Sequence, residues 1–156
     1  NVLVESARIA RGQIKNLREL HVGDFDALII PGGFGVAKNL SDFAISGPLC
    51  SVQGDVLNAT QSFAKAGKPV GLMCIAPALA AKIFGQGVQC TIGSDHETAT
   101  ALQQMGALHV ESTVEDIVVD QTHKLVTTPA YMLAGSISEA AAGINKLVDR
   151  VLEMVG

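Results

Sequence analysis

The sequence predicts an α/β fold built on a mainly parallel sheet, and three observations carry that prediction. Short apolar runs of strand length alternate with longer stretches of helical periodicity. Hydrophobic residues make up 48% and charged residues 17% of the 156 residues, enough to bury a sizeable core. Aromatics amount to only 4%, with no Trp. The core is therefore assembled from Ala, Val, Leu and Ile, as in helices packed closely on a sheet.

The elements follow in order. Residues 2–10 have helical apolar spacing, and residues 27–30 form a short buried strand that breaks into the loop "PGGFG". Residues 52–66 are helical, with Gly67 placed to end the helix in the left-handed conformation. Residues 70–73 read as a second buried strand, and Pro77 stands near the start of the next helix, where its missing N–H costs nothing. Residues 88–92 form a further strand. Ser94 and Glu97 then have capping-box spacing, and Gly106 ends that helix. Residues 117–119 and 125–127 read as two strands joined by a tight turn that holds His123. A second capping pair, Ser136 and Glu139, opens a last helix with an apolar stripe of Ile137, Ala141, Ile144, Val148, Val151 and Val155. With no linker or repeat, residues 1–156 are expected to form one domain. The chain opens on Asn1 with sequence resembling the middle of a domain, so an N-terminal segment is expected to be missing.

The net charge of −4 and the lack of a Lys/Arg cluster argue against nucleic acid or an anionic membrane as partner. The longest apolar runs fall short of a membrane span. Three cysteines, Cys50, Cys74 and Cys90, show no CxxC spacing and read as free thiols of a reducing compartment. No histidine pair has metal-ligand spacing, so no metal is expected.

Functional groups of a parallel sheet gather at the carboxyl ends of its strands. Cys74 sits at such an end, where a strand turns into a helix. A thiol at a helix N-terminus is favoured as thiolate, and the turn aims N–H groups such as that of Ile75 at a developing oxyanion. A buried core cysteine is the alternative, and a common fate of a free thiol. The loop at Gly32 and Gly33 lacks the Walker and dinucleotide spacings. It is either a turn or, beside a cysteine elbow, a source of an oxyanion-binding N–H from Gly33. His96 lies between a strand and a helix and is a candidate proton carrier; His109 and His123 read as solvated. "TTPAY", with Thr128 and Tyr131, ends a strand at the same edge and is a candidate pocket wall. Glu5, Asp26 and Asp116 are possible acids or bases that nothing local distinguishes.

Together "NVLVESARIARG", "PGGFGVAKNLS", "GKPVGLMCIAPALAAKIF" and "VTTPAYML" resemble the ThiJ/PfpI superfamily, relatives of the class I glutamine amidotransferases, and within it the ElbB glyoxalase branch. The resemblance spans essentially the whole chain. It implies a flavodoxin-like three-layer sandwich, Cys74 as nucleophile, and oxyanion donors at Gly33 and Ile75. It also implies a homodimer, no cofactor, and a cytoplasmic or, in eukaryotes, mitochondrial setting. The family's acidic proton carrier lies on a strand that would precede Asn1. Many superfamily members have His after the cysteine; Ile75 stands there, which disfavours a Cys–His dyad. The activity implied is conversion of a small aldehyde substrate, glyoxal, to glycolate. Amidotransferase-like hydrolysis and a non-enzymatic redox or stress role are the alternatives.

Overall fold

The structure is a computed structural model that describes residues 1–155. Its chain order is α1 (Val2–Ile9), β1 (Leu28–Ile30), α2 (Phe43–Ser46), α3 (Gly54–Lys65), β2 (Val70–Met73) and α4 (Ala80–Phe84). There follow β3 (Gln89–Cys90), α5 (His96–Gln104), β4 (Leu108–His109), β5 (Val118–Asp120), β6 (Leu125–Thr128) and α6 (Ile137–Val155). The main sheet has the order β1-β2-β6-β5. β1, β2 and β6 run parallel, and β5 returns antiparallel against β6 through the predicted hairpin. β3 and β4 form a separate parallel pair.

Alternation along β2 builds a core on each face of the sheet. Val70 and Leu72 join a cluster with Phe63 of α3, Ile83 of α4 and Leu102 of α5. Met73 joins Val126, Leu147 and Val151 on the opposite face, beneath α6. Helices thus cover both faces, and the fold is α/β with a mainly parallel sheet, as expected.

Glycines punctuate as predicted. Gly67 (φ +66°) ends α3, its N–H donating to the Ala64 carbonyl while the Lys68 N–H donates to that of Phe63. Gly106 (φ +98°) ends α5 through the same pair of bonds.

Four local expectations change. β3 is only Gln89–Cys90, shorter than the apolar run suggests. The helix at Pro77 begins as a tight 3-10 turn, Ala76–Leu79, before α4. The α5 cap is Asp95, whose carboxylate accepts the Thr98 N–H at 3.1 Å, not Ser94. Finally, α6 buries Ala140, Gly143, Leu147 and Val151, while Ile137 is 83% exposed. An apolar-residue pattern passes over Gly143, yet the helix approaches most closely there. A Cβ on Gly143 would fall 2.3 Å from the Val114 carbonyl oxygen and 2.7 Å from Thr128 Oγ1.

Candidate functional site

Cys74 leaves β2 with φ +60°, a left-handed conformation that L-residues other than Asn and Asp seldom adopt. Its N–H donates to the Thr128 carbonyl at 3.1 Å, so the elbow is anchored to the end of the neighbouring strand β6. The turn that follows is wholly buried, from Ala76 to Leu79. The chain therefore has no room to leave the sheet gradually, and the reversal falls on one residue. The thiol itself is half-buried.

The glycine loop after β1 lies against this elbow. β1 pairs with β2 in the register Ile30 to Leu72, so both strands end side by side. A Cβ on Gly32 (φ +91°) would lie 2.6 Å from the Met73 carbonyl oxygen and 2.8 Å from the Cys74 Cβ. Only glycine fits. Its virtual Cβ is also 3.4 Å from the Ile75 nitrogen, so the glycine loop lies against the backbone just after Cys74. Among the described residues none accepts a hydrogen bond from the N–H of Gly33 or of Ile75. Beyond Gly33 the chain winds into a wide π-turn, Val36–Leu40, closed by the Ser41 N–H and hydroxyl on the Val36 carbonyl at 3.0 and 2.8 Å. Phe34 is 80% exposed beside it, with the Lys38 ammonium 4.9 Å from its ring centroid.

The other two thiols differ. Burial pushes Cys90 up to about 12, with Asp120 adding to the effect, and burial also raises Cys50. Both are disfavoured as thiolates, which leaves Cys74 as the accessible sulfur.

The remaining candidates are placed as follows. Thr128 is fully buried and its hydroxyl donates to the Asp116 carbonyl at 2.7 Å, so it offers Cys74 a backbone carbonyl and not a hydroxyl. His96 opens α5 and lines a separate cavity of about 250 Å³ with Ser94, His109 and Glu111, and Cys74 is not part of that lining. Tyr131 is 66% exposed. Glu5 and Asp116 are taken up in ion pairs with Arg8 at 3.0 Å and Lys146 at 2.8 Å. His109 and His123, expected in solvent, are half-buried and bonded: His109 Nε2 accepts the Ile92 N–H at 3.3 Å, and His123 Nδ1 meets Asp120 at 2.8 Å. Both lie beside strand ends whose pairing brings distant residues over them, which local polarity does not reveal. Among the described residues no group of three or more His, Cys, Asp or Glu could hold a metal ion.

One residue escapes sequence reasoning altogether. Ala130, fully buried, holds φ +43° at the end of β6, beside the elbow. The only signal for it is the preceding Pro129.

A family model, the DJ-1/PfpI family, matches residues 12–134. The human mitochondrial glutamine amidotransferase-like class 1 domain-containing protein 3 (Homo sapiens) is 47% identical over 165 residues, covering 100% of this chain and 61% of its own length. The chain thus spans about three-fifths of the curated relatives it matches. The crystal structure of an isoprenoid biosynthesis protein with an amidotransferase-like domain from Ehrlichia chaffeensis is 34% identical, with a TM-score of 0.90, covering 100% of this chain and 71% of that one. Glyoxalase III from Candida albicans shares the fold at 15% identity and a TM-score of 0.63, over 98% of this chain and 68% of its own.

Proposed function

The chain belongs to the DJ-1/PfpI family, and from that premise we propose that it acts as a cofactor-independent glyoxalase-type enzyme on small 2-oxoaldehydes, with Cys74 as nucleophile. The observation that carries the reading is the strained Cys74 elbow packed against Gly32, whose loop also approaches the Ile75 nitrogen.

In this reading the Cys74 thiolate adds to one aldehyde carbon of glyoxal, forming the C–S bond of a hemithioacetal. The Gly33 and Ile75 N–H groups receive the oxygen that gains the electron pair. The proton on that carbon then moves to the neighbouring carbon through an enediolate, giving the thioester of glycolate. Water cleaves the thioester, releasing glycolate and restoring the thiol; one glyoxal and one water yield one glycolic acid. The proton transfer needs an acid–base group beside Cys74, which the family resemblance implies is a carboxylate. The histidines do not support a Cys–His hydrolase, because the nearest sequence candidate, His96, lines another cavity. The human relative's mitochondrial name supports that compartment over the cytoplasm.

The test is glyoxal turnover by the natural full-length protein and its Cys74→Ala variant, followed as glycolate formed. Loss of at least 10²-fold in kcat is expected for removal of a covalent nucleophile. Full turnover in Cys74→Ala ends the proposal.

A further inference from the structure

A cavity of about 400 Å³ opens at the end of the sheet opposite Cys74. Its floor meets the start of β2, where the Lys124 carbonyl accepts the Val70 N–H at 3.0 Å. Four residues of strand, about 13 Å, separate that point from Cys74. The cavity is therefore not part of the candidate active site.

Its lining has a consistent chemistry. Lys65 from the end of α3 and Lys124 and His123 from the β5–β6 turn face it, and no acidic side chain lines it, in a chain whose net charge is −4. Among the described residues neither lysine is in an ion pair. The imidazole is held in advance. Its Nδ1 bonds to Asp120 at 2.8 Å, and that carboxylate is buried and also accepts the N–H groups of Gln89 and His123. With Nδ1 the donor to Asp120, Nε2 is the nitrogen left for a ligand. Phe84 packs edge-on against the same ring, with centroids 5.7 Å apart, and with Ile83 supplies an apolar wall.

Two helices end here, and their terminal carbonyls would oppose an anion. Most of them are already bonded. Gly67 and Lys68 N–H groups cap the carbonyls of Ala64 and Phe63, the Gly85 N–H caps that of Ala81, and the Gln61 amide reaches those of Lys82 and Ile83. The formal charges lining the cavity are those of the two ammonium groups.

We propose that this cavity is a binding site for a phosphate monoester carrying a flat apolar group, of mononucleotide size. Two point-charge ammoniums suit a phosphoryl group, and His123 Nε2, an acceptor when Nδ1 donates to Asp120, receives a P–OH or ligand N–H proton, whereas a planar carboxylate is best met by the fork of an Arg, and none lines the cavity. Its volume lies within the range of small-molecule sites, roughly 300–1,000 Å³.

The experiment titrates the natural full-length protein with adenosine 5′-monophosphate, inorganic phosphate and adenosine, by calorimetry and by histidine NMR. The monophosphate is expected to bind about tenfold or more tightly than inorganic phosphate, adenosine to bind more weakly than either, and His123 resonances to move while those of His21 and His96 stay. The double variant Lys65→Ala/Lys124→Asn is expected to lose about tenfold or more in affinity with Cys74-dependent turnover unchanged. Asn is chosen because Lys124 has φ +51°, which Asn tolerates. Should that variant fail to fold, Lys65→Ala alone, an exposed change at a helix end, gives the same reading with a smaller loss. Absence of saturable monophosphate binding, binding that leaves His123 unmoved, adenosine binding as tightly as its monophosphate, or lysine variants of undiminished affinity would each overturn the proposal.

Discussion

Cys74 holds a left-handed conformation that costs an L-residue about 1–2 kcal/mol, and it keeps it because its surroundings leave no other path. The Thr128 carbonyl holds its N–H, the buried turn from Ala76 takes the chain away, and Gly32 closes the remaining side. Gly32→Ala tests this contact. The new methyl meets a backbone oxygen at 2.6 Å, which cannot swing aside, at a φ of +91° that disfavours any side chain. A loss of about 2–5 kcal/mol in urea unfolding is expected, together with loss of the proposed glyoxal turnover. A loss below about 1 kcal/mol would mean that loop and elbow are not packed together. Cys74 and the glycine loop were each legible as strand-end features. Their contact was not, because 41 residues of chain separate Gly32 from Cys74 and only the β1–β2 register joins them.

For the elements, α6 shows where periodicity misleads. Its start was readable from Ser136 and Glu139: the Ser136 hydroxyl accepts the Glu139 N–H at 3.3 Å, and the Glu139 carboxylate accepts the Gly135 N–H at 2.8 Å. Its buried face was not readable, because Gly143 scores as neutral in an apolar pattern while marking the closest approach. Gly143→Ala should raise helix propensity by about 1 kcal/mol. The methyl would nevertheless overlap the Val114 carbonyl and the Thr128 hydroxyl, the latter bonded to the Asp116 carbonyl. A net destabilisation of about 2–4 kcal/mol is expected in thermal or urea unfolding, and a stabilised variant would contradict the packing described. Thr128 would lose its hydrogen bond in the process, so Cys74 reactivity should change with it.

At the scale of the whole molecule, the small β3–β4 sheet is tied to the main sheet by polar side chains. Asp120 accepts the Gln89 N–H at 2.8 Å, and the Thr127 hydroxyl accepts that of Thr91 at 3.0 Å. His109 Nε2 accepts the N–H of Ile92 within the small sheet. These ties set how stability depends on pH. Burial holds His109 below its ordinary value of 6.5, against a smaller opposing pull from Glu111. The unfolded chain therefore takes the proton first, and stability falls as pH drops below about 6.5. Burial pushes Asp120 up, but the bonds from Gln89 and His123 outweigh it, and the net value lies below 3.8. Its contribution is present above that ordinary value and is lost as pH falls through the folded one. Urea midpoints measured from pH 7.5 down to 4 should fall in a first step that is absent in His109→Gln, whose amide oxygen accepts the Ile92 N–H at any of these pH values. Persistence of that step in the variant would assign it to another group.

By itself the sequence determined the alternation of strands and helices, the glycine terminators, the place of Cys74 at a strand end and, through four ordered motifs, the family. All of these depend on steric and periodic rules that act over a few residues. Only the tertiary structure decided which distant groups meet: Gly32 with Cys74, Asp120 with Gln89, Gly143 with Thr128, and His96 with a cavity apart from the thiol. Those meetings follow from strand register and helix approach, and a shift of one residue in either would pair different atoms without altering any local pattern.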